Sequence, residues 1–111
     1  MTTARYRVES LRKFALSLFT AAGMDVDKAG AVAEVLVVGD MVGQRTHGMA
    51  LCPQYLEQIE KGLMATQGEP TVIRDSGAVF VWDGNYLPGP WLVSTALALA
   101  CERAITYGSV T

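Results

Sequence analysis

Asp40-Met41-Val42-Gly43-Gln44-Arg45-Thr46-His47-Gly48 sets the chain's only histidine where one helical pattern stops and another starts. An imidazole titrates near neutral pH, so a histidine at a helix N-terminus is well placed for proton transfer. Thr46 is a helix-capping residue type and Gly48 lets a substrate approach the backbone. The free amides of the next turn offer an anion site beside the ring. A cap or a structural hydrogen bond is the alternative use of the same histidine. Asp40 lies near the C-terminus of the preceding helical pattern, where the dipole disfavours a carboxylate. A compensating bond into the loop, fixing its shape or the imidazole tautomer, is therefore expected.

Working outward, an extended start at 6–8 leads into a helix over 9–22, closed by Gly23 in a left-handed cap. Asp25 caps a second helix that carries Ala29, Val32, Ala33, Leu36 and Val37 at three-to-four spacing toward Asp40. The loop 43–46 follows, then a helix over 48–61, in which Pro53 either makes a kink or marks a one-turn start. If that helix is continuous, Leu51, Gln54 and Tyr55 lie within about 80° of His47 around its axis. Arg45 is a loop cation that could attract an anion.

Gly68-Glu69-Pro70 breaks helicity and marks a boundary, giving a helical subdomain over 1–67 and a second segment over 68–111. Strands over 71–74 and 78–82 make a hairpin around Asp75-Ser76-Gly77, with a further turn at Asp83-Gly84-Asn85. A long helix over 91–107 ends at Gly108, and Ser109-Val110-Thr111 turns extended again. The fold class is α+β: an N-terminal helical subdomain followed by the start of an α/β layer, a hairpin plus a long helix, incomplete as it stands.

Composition narrows the function. Half of the 111 residues are hydrophobic, enough for a packed core. A formal charge of -2, from nine basic and eleven acidic residues spread along the chain, leaves no basic stripe for nucleic acid. Cys52 and Cys101 read as buried apolar residues in a reducing, cytoplasmic setting, with no disulfide and no metal site. Residues 14–23 after Arg5, Arg7, Arg12 and Lys13 imitate a signal peptide. Glu9 interrupts that basic region, however, and Leu11, Ala15, Leu18 and Ala22 form the stripe of a core helix. The apolar run over 91–101 meets Glu102 and Arg103 before the roughly 20 residues of a membrane span, and so reads as a buried helix. No P-loop, G-x-G-x-x-G or G-x-S-x-G occurs, so no known phosphate cradle or nucleophile elbow is present.

The pattern Asp40-x-x-Gly43-x-x-Thr46-His47-Gly48 is accompanied by Ala21-Ala22-Gly23-Met24, Tyr55-Leu56, residues 59–62, Trp82-Asp83-Gly84 and Leu87-Pro88-Gly89-Pro90. With these flanks the chain resembles the N-terminal portion of the malate/L-lactate dehydrogenase family, non-Rossmann NAD(P)-dependent oxidoreductases. The resemblance implies hydride transfer between nicotinamide and a 2-oxo or 2-hydroxy acid. His47 then matches the proton donor, Thr46 the residue that contacts substrate, and Tyr55 a tyrosine near the pocket. NAD or NADP would be bound mainly by residues absent from this chain. The resemblance also implies a homodimer; a C-terminal companion chain is the alternative source of the remaining residues, and charge and apolar-run length point to no nucleic-acid or membrane partner. Leu51 and Val42 stand where many members carry arginine. That departure disfavours dicarboxylates such as malate and suits a substrate with an apolar tail.

Two other classes compete. In a non-catalytic helical interaction or regulatory domain, the same helices are scaffold and His47 is a cap. A hydrolase reading rests on the histidine alone.

Overall fold

The computed structural model describes residues 4–111, so the first three residues of the segment 1–67 lie outside the described residues. The order is α1 (Val8–Ala21), α2 (Val26–Met41), two 3-10 turns (Arg45–His47 and Met49–Leu51), α3 (Cys52–Glu60), β1 (Thr71–Asp75), β2 (Phe80–Asp83) and α4 (Gly89–Tyr107). This is the α+β arrangement read from the residues.

α1 starts earlier than expected, and Val8 is helical rather than extended. Among the described residues no strand partners this segment, and Leu11 N–H donates to the Arg7 carbonyl at 3.1 Å, which closes the first turn. At the other end Gly23 takes φ +98°. Met24 N–H returns to the Phe19 carbonyl at 3.1 Å, a Schellman closure that delivers Met24 into the core. Asp25 occupies the N-cap position of α2, but its side chain makes no cap bond. It bonds instead to Lys28 Nζ at 3.2 Å.

The spacing of α2 does what it predicts: Ala29, Val32, Ala33, Leu36 and Val37 are all buried. Phe19 and Met24 meet this face, and Cys52 at the head of α3 closes the cluster. Across the rim, Arg12 forks onto Glu34 at 2.5 and 3.0 Å and reaches Glu9 at 2.8 Å, tying α1 to α2. The pair raises the arginine's pKa and lowers the glutamate's, in each case chiefly through their mutual hydrogen bond.

The third helix is not continuous from 48. It begins at Cys52 with Pro53 in its first turn, preceded by the separate 3-10 turns. Proline lacks the N–H that a helix interior needs but fits a first turn, so of the two readings left open at Pro53 the short start is the one adopted.

β1 and β2 pair antiparallel from Thr71↔Asp83 to Asp75↔Phe80, with a bulge between Val72 and Arg74 that leaves Ile73 outside the register. β2 starts two residues later than expected because Val79 is used in the turn, where its carbonyl accepts Ser76 N–H at 2.8 Å. On the far edge of β2, Thr111 N–H donates to Ala78 and Phe80 N–H donates to Thr111, at 2.8 and 3.0 Å. These two bonds have the pattern of a parallel neighbour, so β2, α4 and residue 111 trace a crossover of the α/β type.

α4 was expected to be buried and is not. Trp91 is its one buried residue, while Val93, Leu97 and Ile105 are 67, 60 and 89% exposed. Cys101, also expected inside, is exposed. The hairpin covers only part of this helix, and the described residues have a radius of gyration of 15.9 Å, against roughly 13 Å for a compact chain of this length. No helix among the described residues is long and apolar enough to cross a membrane.

Candidate functional site

His47 sits at the end of a 3-10 turn, exposed, with its ring held from one side. Thr46 Oγ1 lies 3.0 Å from His47 Nδ1. The threonine hydroxyl is thus engaged with the imidazole, and the turn carries no side-chain cap, contrary to the expected N-cap role. With Nδ1 paired, Nε2 is the nitrogen left for a ligand.

Of the amides expected to offer an anion site beside the ring, four are already used within the protein. His47 N–H bonds to Gln44, Gly48 N–H to Arg45 and Leu51 N–H to Gly48, at 2.9, 3.3 and 3.0 Å. Met49 N–H goes to Asp40 Oδ2 at 2.9 Å. The bond expected from Asp40 into the loop is therefore present, and it ends on the backbone rather than on the imidazole.

Gly48 also has a packing role that its residue type did not announce. It is buried, and a Cβ there would overlap the Asp40 carboxylate. A second glycine was missed in the sequence: a Cβ on Gly39, one residue before Asp40, would overlap the His47 carbonyl. Its signal was legible, since a glycine inside a helical pattern weakens the helix and invites a close-packing explanation.

Tyr55 and His47 share no helical face, because the continuous helix that would align them is absent. Tyr55 is half-buried, its ring 6.3 Å from that of Phe19, and its hydroxyl has no hydrogen-bond partner among the described residues. Gln54 is exposed on α3. Arg45 is exposed, makes no ion pair among the described residues, and borders a groove of about 430 Å³ with Tyr6, Leu11, Asp40, Met49 and Ala50. The Cys52 thiol is pushed up by burial and then by the Asp40 charge, which leaves it a core residue rather than a nucleophile.

Residues 6–111 match the family model described as malate/L-lactate dehydrogenase. The chain belongs to that family. It is 30% identical over 100 residues to a malate/(S)-sulfolactate dehydrogenase of Methanothermus fervidus, covering 90% of this chain and 30% of that protein. Over 104 residues it is 25% identical to hydroxycarboxylate dehydrogenase B of Escherichia coli, covering 94% of this chain and 29% of that protein. The malate dehydrogenase structure from Entamoeba histolytica superposes with a TM-score of 0.89 at 26% identity, over 96% of this chain and 30% of that one. The sulfolactate dehydrogenase structure from Methanocaldococcus jannaschii gives 0.87 at 25%, over 91 and 29%. The chain thus spans about 30% of the length of these relatives.

Within a malate/L-lactate dehydrogenase chain, the two departures from arginine now have places. Val42 is 65% exposed just beyond α2. Leu51 is half-buried and packs against the core cluster. A dinucleotide needs donors for its phosphates, and four of the amides around His47 are engaged within the protein. Those four amides are therefore not available to cradle a phosphate.

Proposed function

We propose that this chain supplies the proton-transfer element of an NAD(P)-dependent dehydrogenase acting on a 2-oxo/2-hydroxy acid pair, with His47 as the proton donor. Family membership supports the reaction class, and the Thr46–His47 hydrogen bond is the observation that carries the assignment to residues. When bound, chiefly by residues outside this chain, a nicotinamide would supply the hydride for the substrate's carbonyl carbon. As an imidazolium, His47 donates Nδ1–H to Thr46 Oγ1, which orients the ring and leaves Nε2–H for the substrate's carbonyl oxygen. Transfer of that proton gives the 2-hydroxy acid and a neutral imidazole, and the reverse reaction returns it.

In this reading Thr46 orients the ring beside the substrate, and the unpartnered Tyr55 hydroxyl is available as a second contact. Gly48 contributes by close packing. The ring is exposed here, whereas proton transfer to a developing alkoxide is favoured where water is excluded. The rest of the site is accordingly assigned to a second subunit of a homodimer or to a C-terminal companion chain. The setting is taken to be cytoplasmic.

The test is 2-oxo-acid-dependent oxidation of NADH and NADPH by the enzyme that contains this chain. His47→Asn keeps a hydrogen-bonding side chain but cannot donate a titratable proton. Turnover should fall by about 10² or more, with KM little changed, as on loss of a general acid. An unchanged kcat removes His47 from the chemistry.

A further inference from the structure

We infer that Asp40 is the positioning residue of the His47 turn, acting from behind through the backbone of Gly48 and Met49 without touching substrate. Its consequence for catalysis rests on the proton-donor reading of His47, whereas its geometry does not.

Asp40 lies one residue before the end of α2, among carbonyls whose partial negative charge disfavours a carboxylate. A residue placed against the dipole needs a compensating partner, and the partner is Met49 N–H at 2.9 Å, the first amide of the second 3-10 turn. That amide lies at the start of a helical turn, where no carbonyl of the turn itself can accept from it. A carboxylate acceptor makes this a charge-assisted bond.

Gly48 supports the same conclusion from the other side. Its backbone, at φ -104° and ψ -151°, is extended, a conformation open to any residue. What glycine provides there is space, and that space is filled by the Asp40 carboxylate, which a Cβ would displace. Gly39 makes a parallel accommodation, with its missing Cβ leaving room for the His47 carbonyl and its own carbonyl accepting Gln44 N–H at 2.9 Å.

Two consecutive residues of α2 thus hold the turn at both ends, Gly39 against His47 and Asp40 against Gly48 and Met49. Thr46, the residue type that would otherwise cap the turn, is engaged with the ring. The imidazole's backbone is referenced to α2, the most buried helix of the fold, rather than to α3.

Because His47 is the only histidine, a tag-free, isotope-labelled sample of the chain gives a single Cε1–H imidazole correlation in an NMR spectrum. The Met49 amide reports the Asp40 bond directly. In the unmodified chain this amide should be protected from hydrogen exchange although its turn lies at the surface. Asp40→Ala should speed that exchange about ten-fold or more and move the imidazole signal, while the indole signals of Trp82 and Trp91 stay in place. Asp40→Asn keeps an oxygen acceptor in the same position and should retain most of the protection.

An unprotected Met49 amide in the unmodified chain overturns the proposal, and that measurement needs no variant. So does an Asp40→Ala spectrum with both signals unmoved, or an Asn variant as damaged as the Ala variant. If Asp40→Ala loses its dispersed signals altogether, protection in the unmodified chain and rescue by Asn decide the matter. In the enzyme assay, Asp40→Ala should lower kcat more than it raises KM, with Asn restoring most of the loss. Should His47→Asn turn over normally, the proton-donor reading fails while the exchange data still decide the role of Asp40.

Discussion

Trp91 reaches back across 64 residues to donate its indole N–H to the Asp27 carboxylate at 3.1 Å. The same ring lies 4.1 Å from the ammonium of Lys28, which is 2% exposed and bonded to Asp25 at 3.2 Å. The first turns of α2 and α4 are thereby joined through one aromatic ring, one buried cation and two carboxylates. Since the hairpin packs on α4, this contact fixes how the second segment sits on the helices that carry His47.

Trp91→Phe keeps an aromatic ring over Lys28 and loses the N–H, so it should destabilise by about 1 kcal/mol. Trp91→Ala removes the ring as well and should cost about 3–5 kcal/mol. Lys28→Met should stay within about 1 kcal/mol of the parent, because Asp25 and Asp27 are exposed enough to be rehydrated when the cation leaves. Urea denaturation of the three variants separates these terms. Equal losses for Phe and Ala would show that the ring itself contributes little.

Two glycines of α2 should respond to alanine in opposite directions. Gly30 has open space around the position of a Cβ, so Gly30→Ala should stabilise by up to about 1 kcal/mol through helix propensity. Gly39→Ala carries the same propensity gain but drives a methyl into the His47 carbonyl, a backbone atom with little freedom to move. A net destabilisation of about 1–3 kcal/mol is expected. Thermal midpoints of the two variants check this, and a stabilised Gly39→Ala would mean that the His47 turn is not seated on α2.

Where periodicity dictates burial, the sequence is a sufficient guide. The α2 stripe from Ala29 to Val37, the Gly23 closure and the hairpin are all legible from residue type and spacing. The family was legible from the Thr-His-Gly motif and its flanks. What failed did so for reasons that lie outside local sequence. Thr46 has the chemistry of a cap, but its hydroxyl has two possible partners, and proximity of the ring to it is settled only by the turn. The apolar residues of α4 demand burial, yet a pattern names a face without saying what covers it. Gly48 was read for its freedom and is needed for its size, a distinction that requires the position of Asp40.

The two thiols should be distinguishable by reactivity. Cys101 is exposed on α4, while Cys52 is buried and its thiol is held above the ordinary range, first by burial and then by the charge of Asp40. A disulfide reagent at neutral pH should therefore modify Cys101 promptly and Cys52 only on unfolding. Mass spectrometry of the modified peptides identifies the site. Prompt labelling of Cys52 would mean that the joint between the 3-10 turns and α3 opens readily.

The hairpin is anchored to α4 by Arg103, whose guanidinium meets both Asp75 oxygens at 2.6 Å and the Gly77 carbonyl at 3.0 Å. Asp75 is lowered from 3.8 to about 2, first by the Arg103 hydrogen bond and then by Gly77 N–H. A carboxylate whose pKa is depressed on folding favours the folded state wherever the unfolded chain would bind the extra proton. This contribution is fully present above pH 3.8 and is lost as the pH falls through about 2. Both side chains are partly exposed, so the effect should be modest and weaken with salt. Arg103→Met should raise the Asp75 midpoint toward 3.8 without reaching it, because Gly77 N–H still favours the charged form. It should also flatten the acid limb of the urea midpoint between those two pH values. An NMR titration of the Asp75 carboxyl reads the first effect. A midpoint unmoved by Arg103→Met would assign the depression to the turn alone and leave α4 held by Trp91.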